Sequence, residues 1–373
     1  MRIGFCGQLY GKKMEDAIGS HNKVSYAIRK FNGNFVAALA CFSEINVYSP
    51  IHEKSIYDNI EVEGRKTYKY LRYYGKLGRV NLLIKSFLSA FLGNETVYFV
   101  DALNVSQALG VIVASRLKKK RVISIITDIP QAILDGKPGL FGKAFLCIIR
   151  KSNALVVLTN QTAIDFNTLH KPFVIIEGIA NDIHELNMLP LDEHICIYAG
   201  GLSDKYYISQ MAECFEKVAK HDEYLYIFGD GESKEKIVEI ANKGSHVKYM
   251  GVMDNKMVME YELKSILLIN PRPNNGEYTK YSFPSKLIEY MSTGVAVLGN
   301  KLDGVPNEYY EHMYLFDGYT KDSYCASIRK LLDTNVNDLS AKGRRAKNFI
   351  IERNGIRATS EKLRYLLNEI EDK

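Results

Sequence analysis

Short apolar runs alternate with amphipathic stretches along most of this chain. In the first half, Arg2 to Cys6, Ile45 to Ser49, Val97 to Asp101, Arg121 to Thr127, Ala154 to Thr159 and Phe173 to Glu177 read as strands. Helical stretches such as Ala102 to Leu117 and Gly142 to Lys151 lie between them. Short β-rich runs separated by helices imply a parallel sheet with helices on both faces. The pattern restarts near residue 194 with HICIYAG, YLYIFG, HVKYMG and ILLIN, and VAVLGN follows one more helix. These elements predict two doubly wound α/β domains in series, 1–180 and 181–340, with a boundary near Gly178 to Leu191. The terminal helices, Asn337 to Asn354 and Ile356 to Glu371, put residues 341–373 back against the first domain. Ligands of such sheets bind beyond the carboxyl ends of the strands, and in a two-domain chain the cleft between domains is the expected site.

Composition narrows the class without changing the architecture. The chain has 373 residues, 46% apolar and 25% charged, enough for two real cores. No apolar run approaches the roughly 20 residues of a membrane span, and MRIGFCGQLYGKK lacks the apolar core of a signal peptide. A cytoplasmic protein is expected. Six scattered cysteines without paired spacing read as core thiols rather than metal ligands or disulfides. Charge is uneven: 24 Lys and Arg against 13 Asp and Glu through residue 180, then 25 against 30. The two halves are electrostatically different objects, which supports two domains.

Candidate chemistry gathers in the second half. In YSFPSKLIEYMSTG, Pro284 suits the first turn of a helix and Gly294 the position just past its end. Helical spacing collects Lys286, Glu289, Tyr290 and Thr293 on one face and Leu287, Ile288 and Met291 on the other. Two readings of Lys286 and Glu289 stand: a solvated pair worth about 0.2–0.5 kcal/mol, or a face turned to a bound anion. The strand-end loops favour the second. YAGGLSDK offers Gly200, Gly201 and Lys205, and FGDGE offers Gly229 and Gly231 at a helix start. Glycines there let backbone N–H groups approach an anion, and helix N-termini favour negative charge. A diphosphate matches two lysines plus backbone donors, with Glu289 placed to accept from sugar hydroxyls. No P-loop and no G-x-G-x-x-G after the first strand is present, GKPGLFGKA being a near miss. Nothing in the pattern asks for a metal or other cofactor.

The order YAGGLSDK, FGDGE, YMG, NPRP, YSFPSKLIEYMSTGVAVLGN, DGVPNEYY resembles the C-terminal half of family 4 glycosyltransferases. These are retaining enzymes of the GT-B fold, in which two Rossmann-like domains face across a cleft. The resemblance covers the second half and is most specific over Pro284 to Val297. It implies that Lys205 contacts the donor diphosphate and that Glu289, the second glutamate of an E-x7-E signature, holds the donor ribose. Lys286 closes an F-P-S-K variant of the block (Phe283, Pro284, Ser285, after Ser282) and becomes the second phosphate contact. Gly229 and Gly231 lie where the family's backbone passes near the donor, and the base belongs near Met250. Three departures accompany it. Tyr281 stands where the first glutamate belongs, with Glu277 as a substitute; Gly201 replaces a frequent arginine, whose charge Arg272 would supply; and Thr127 and Asp128 replace a His-Asp pair near the reacting carbon, for which His21 is a candidate. The implied transfer is metal-independent, the departing phosphate taking the acceptor proton on the same face of the sugar.

For partners, Glu63 to Gly93 is basic and tyrosine-rich, then apolar, which suits an anionic membrane at the inner face of the plasma membrane. The bland alternative is a solvated helix face followed by a core helix. LKKKR reads as a helix C-terminus, and no motif accompanies the charge to suggest nucleic acid. A lipid-linked saccharide acceptor in surface polysaccharide assembly follows by analogy. A nucleotide-sugar 2-epimerase, a non-catalytic nucleotide-sugar binder and a two-domain solute receptor are the rival readings.

Overall fold

A computed structural model of the chain describes residues 2–18, 26–52, 60–130, 136–181 and 194–371. It divides into two compact units. The first comprises Met1–Ile179, Lys280–Phe283 and Asn354–Lys373, and the second Ala180–Thr279 and Pro284–Arg353.

The first unit is built on strands β1 (Arg2–Cys6), β2 (Glu44–Ile51), β3 (Ile60–Glu63), β4 (Lys66–Arg72), β5 (Val97–Asp101), β6 (Arg121–Ile126), β7 (Ala154–Val157) and β8 (Phe173–Ile175). Their order is β3-β4-β2-β1-β5-β6-β7-β8, parallel throughout except for the β3–β4 hairpin. The helices are α1 (Lys12–Ile18), α2 (Tyr26–Ala40), α3 (Gly78–Leu92), α4 (Val105–Leu117), α5 (Leu140–Lys151) and α6 (Asn160–Phe166). The central strands are continuous apolar runs because a parallel sheet is covered on both faces; Ile3, Phe5, Phe99, Ile123 and Val156 are fully buried. β7 stops short of Thr159, whose side chain instead caps α6 by accepting from the Thr162 N–H.

The basic, tyrosine-rich stretch after Glu63 is not a helix face. Lys66–Arg72 is a strand, paired to β3 through a two-residue turn in which Gly64 has φ 57°. Alternation turns Tyr68 and Tyr70 into the core, and the Tyr70 hydroxyl donates to Glu61 and accepts from the Gly11 N–H. The apolar stretch that follows, α3, is core on one side only: Leu82, Ser86 and Ala90 are buried, while Val80, Ile84, Leu88 and Leu92 are exposed. It packs on α4 at Gly110, where a Cβ would lie 2.3 Å from the Leu83 carbonyl oxygen.

The second unit holds one parallel sheet of β9 (His194–Ala199), β10 (Glu223–Phe228), β11 (Val247–Gly251), β12 (Leu267–Asn270), β13 (Ala296–Gly299) and β14 (Tyr314–Leu315). Its order is β11-β10-β9-β12-β13-β14. Helices α7 (Ile208–Val218), α8 (Lys234–Lys243), α9 (Asn255–Lys264), α10 (Ser285–Thr293), α11 (Lys321–Leu332) and α12 (Val336–Asn354) cover it. The last helix, α13 (Ile356–Glu371), places Leu363, Leu366, Leu367 and Ile370 in the core of the first unit, whereas α12 stays with the second up to Arg353. Asn354 marks the change of unit, donating to Glu177 and to the Gly178 carbonyl. Four cysteines are core thiols, but Cys41 and Cys147 are exposed.

Candidate active site

In the second sheet the strand order reverses at β9, which has β10 on one side and β12 on the other. Crevices open at the carboxyl ends of strands at such a point. The loops leaving β9 and β12 carry Gly200 to Lys205 and Arg272.

Backbone hydrogen bonds knit the ends of β9, β10 and β11 into one surface. The Gly200 N–H donates to the Phe228 carbonyl, Leu202 to Asp230, and Gly229 to Gly251. Met250 precedes Gly251 and is half-buried on the edge strand. This knitting gives Gly229 and Gly231 a different reason to be glycine from the one the sequence suggests. Their φ values are 134° and 154°, and a Cβ would lie 1.9 Å from the Gly200 oxygen and 2.5 Å from the Leu202 oxygen. They permit close loop-on-loop contact. Gly201 differs: it is exposed and a Cβ there would meet nothing within 4 Å. Gly229→Ala is therefore expected to destabilise the second unit by on the order of 3 kcal/mol, from backbone strain and clash. Gly201→Ala should change stability by no more than about 0.5 kcal/mol. Urea unfolding of both variants checks the contrast.

Lys205 sits in a short 3-10 turn, Asp204–Tyr206, fixed by a network of acceptors. Glu232 accepts from Ser203 Oγ at 2.7 Å and from the Asp204 N–H at 2.9 Å, and Asp204 accepts from Ser233 Oγ. The Ser203 hydroxyl and the Asp204 N–H hold the Glu232 carboxyl below its ordinary range. Tyr207, at φ 59°, then redirects the chain into α7. The Lys205 ammonium lies 5.1 Å from the Tyr206 ring centre and 5.9 Å from that of Tyr278. The Arg272 guanidinium shares the same two rings, at 5.7 and 5.1 Å. Two cations from the loops after β9 and β12 thus converge on one pair of tyrosines. Cation–π contact orients them. Lys205 has no ion pair among the described residues. Neither tyrosine stands out in the sequence; the signal was two aromatics within a few residues of the two cations.

Lys286 is placed differently. Its ammonium lies 3.5 Å from Glu289 and 3.9 Å from Glu262, itself wholly buried. Glu289 is 9% exposed and also accepts from Asn255. The face bearing Lys286 and Glu289 is not solvated, because Tyr290 and Thr293 are buried too. The Ala199 N–H donates to the Tyr290 hydroxyl at 2.8 Å, tying α10 to the end of β9, and Thr293 bonds the backbone at the helix end. Lys286 is therefore a partly compensated charge held between two carboxylates. Pro284 is buried at the cap rather than in the first turn, and Ser285 is the exposed first residue of α10.

Tyr281, Ser282 and Phe283 group with Lys280 in the first unit, whereas Lys205 belongs to the second. The Tyr281 hydroxyl donates to Asp165 at 2.8 Å and its ring meets Phe166 edge-on. Glu277 is exposed at the start of a separate 3-10 turn.

In the first unit the order reverses at β1, between β2 and β5. Asp101 ends β5, and desolvation pushes its carboxyl up to about 6 against the pull of the Leu103 and Asn104 N–H groups. Neither periodicity nor motif singles it out. It pairs in register with Ile125 of β6, two residues before Thr127. Asp128 is exposed and accepts from the Ile129 N–H. His21 lies outside the described residues. No group of three or more His, Cys, Asp or Glu suited to a metal occurs among the described residues.

A family model for glycosyl transferases group 1 matches residues 181–368. TuaC of Bacillus subtilis (strain 168), assigned by name to teichuronic acid biosynthesis as a glycosyltransferase, is 27% identical over 139 residues, 37% of this chain and 33% of that protein. The matched stretch thus spans about a third of that relative's length. Among solved structures, trehalose-6-phosphate from E. coli bound with UDP-2-fluoro glucose superposes with TM-score 0.74 at 10% identity, covering 100% of this chain and 99% of that one. HepE of Anabaena in complex with UDP superposes with TM-score 0.68 at 12% identity, covering 99% and 100%. The likeness establishes the GT-B fold.

Proposed function

Because the chain belongs to the group 1 glycosyl transferases, we propose that it moves a sugar from a nucleoside-diphosphate donor to a saccharide acceptor, with retention at the anomeric carbon and without a metal. The observation that carries this reading is the convergence of Lys205 and Arg272 at the strand-order reversal of the second sheet. Two cations and a backbone surface open at Gly201 suit a diphosphate. Arg272 replaces Lys286 as the partner of Lys205 in this reading, since Lys286 is already held by Glu289 and Glu262. Glu289 keeps the ribose role, its carboxylate oriented by Lys286 and Asn255.

In the transfer, the bond from the anomeric carbon to the diphosphate oxygen breaks and a bond to the acceptor oxygen forms on the same face. The acceptor proton passes to the departing phosphate oxygen. Lys205 and Arg272 stabilise the charge that develops on that oxygen, and they are fixed before the reaction by tyrosine contacts and the Glu232 network. Asp101, Thr127 and Asp128, at adjacent strand ends of the first sheet, are proposed to hold acceptor hydroxyls.

We further propose a lipid-linked acceptor in surface polysaccharide assembly at the inner face of the plasma membrane. The exposed apolar positions of α3, next to exposed Lys76 and Arg79, support it; no helix among the described residues is long and apolar enough to cross a membrane. Thermal stabilisation against UDP-, GDP- and dTDP-sugars, with and without EDTA, tests the reading. A shift selective for one donor and indifferent to EDTA is expected. No shift with any of them at concentrations well above a millimolar Kd overturns it in favour of a non-catalytic relative.

A further inference from the structure

The first unit contains a cationic cleft of its own, at the opposite end of its strands from Asp101. It has a volume of about 510 Å³ and lies where α4 and α5 end and β6, β7 and β8 begin. That volume falls within the range of small-molecule sites, roughly 300–1,000 Å³. Arg116, Lys119, Lys120, Arg121 and Lys151 line it, over a floor that includes Ile112 and Val122.

Cations at helix C-termini ordinarily serve the helix carbonyls, and two lysines here do that work. Lys120 donates to Ala90 and Gly93 at the end of α3, and Lys171 to the carbonyls of Ile149, Arg150 and Ser152 at the end of α5. Arg121 is engaged with Glu371. The side chains of Arg116, Lys119 and Lys151 are left with no hydrogen bond or ion pair among the described residues. Lys119 also stands at φ 53°, a left-handed position just past α4 that glycine usually fills. Ser115 adds an independent observation: it lines the same cleft, is wholly buried, and its Oγ has no hydrogen-bond partner. A buried hydroxyl without a partner is uncommon and costly in a native interior.

We propose that this cleft binds a phosphate ester or diphosphate group, with Ser115 Oγ, Arg116, Lys119 and Lys151 as its donors. A planar guanidinium, two ammonium groups and a hydroxyl donor form the set that phosphate oxygens accept from. The phosphate can belong to a free metabolite or to an anionic lipid headgroup. The proposal is independent of the donor reading, because all of these residues lie in the first unit.

Pyrophosphate titration by calorimetry tests the first source, with the full chain carrying Lys205→Ala so that donor-site binding is suppressed. Co-sedimentation with phosphatidylglycerol or phosphatidylcholine vesicles tests the second. Saturable pyrophosphate binding, weakened at least tenfold by combined Arg116→Gln, Lys119→Gln and Lys151→Gln, assigns a free phosphate ester. Sedimentation with phosphatidylglycerol vesicles only, lost in the same triple variant, assigns a headgroup. Ser115→Ala should weaken whichever is seen by threefold or more with an unchanged Tm, since the hydroxyl it removes bonds nothing in the protein. Neither form of binding, or binding equal in parent and triple variant, overturns the proposal. If Lys205→Ala fails to suppress donor binding, two pyrophosphate sites are counted, and only the one sensitive to the triple substitution is at issue.

Discussion

Lys205→Ala is expected to lower kcat/KM for glycosyl transfer by about 10²–10³-fold, or roughly 3–4 kcal/mol of lost transition-state stabilisation. Lys205 is exposed and has no ion pair among the described residues, its ammonium lying over two aromatic rings, so Tm should move little. Loss of charge stabilisation on the leaving group should appear mainly in kcat, because that charge grows as the bond breaks. Steady-state kinetics with the donor identified by thermal shift checks this. Unchanged kcat/KM would remove Lys205 from the site. Glu289 needs a gentler substitution than the sequence suggests. It is nearly buried beside Lys286, so Glu289→Ala would strip a half-buried ammonium of one of its two carboxylates and confound activity with stability. Glu289→Gln keeps the shape and is the better probe, with donor affinity as the readout.

The largest expected stability effect lies away from the site. Arg329 on α11 makes two hydrogen bonds of 2.7 Å to Glu223, one to each carboxylate oxygen, and bonds Asp333 as well. Glu223 is 5% exposed. Arg329→Met removes one partner of a largely buried pair and should cost about 3–5 kcal/mol. The cost should depend on pH. Burial pushes the Glu223 carboxyl up, but the Arg329 hydrogen bonds and the Lys220 N–H outweigh it and hold it below its ordinary range. A carboxyl depressed on folding contributes stability above its unfolded pKa, near 4.3, and loses it as pH falls through the lower folded value. The gap between parent and Arg329→Met should therefore be full at pH 7 and narrow below about pH 4. Urea unfolding at pH 7 and pH 3.5 measures it. A gap that is the same at both would show that the guanidinium contributes by packing alone.

Those two residues illustrate how differently the sequence exposes fold and site. Central strands such as Val97–Asp101 were legible to the residue because both faces of a parallel sheet are buried and the apolar run is continuous. Lys66–Arg72 was not. Its alternating lysines and tyrosines look polar in a helical window, and only the hairpin with β3 decides which side is core. At the site, glycines at 229 and 231 were recognisable as special, but the sequence cannot tell contact with a ligand from contact with another loop. The oxygens of Gly200 and Leu202 show the loop contact. Helical spacing placed Lys286 beside Glu289 correctly and missed Glu262, which comes from a different helix. The unit to which Tyr281 belongs is hidden from the sequence for a similar reason. Four residues, Lys280–Phe283, leave the unit of their sequence neighbours, and no local pattern announces such an excursion.

In the proposed reaction Lys205 and Arg272 together hold the diphosphate. The most direct test is calorimetric titration of nucleoside diphosphates into the full chain, Lys205→Ala, Arg272→Ala and the double variant. The account predicts that one nucleoside diphosphate binds the parent, that each single substitution weakens it at least tenfold, and that the double variant loses less than the sum, because the two cations share one ligand. Equal affinity in the parent and both single variants would contradict it.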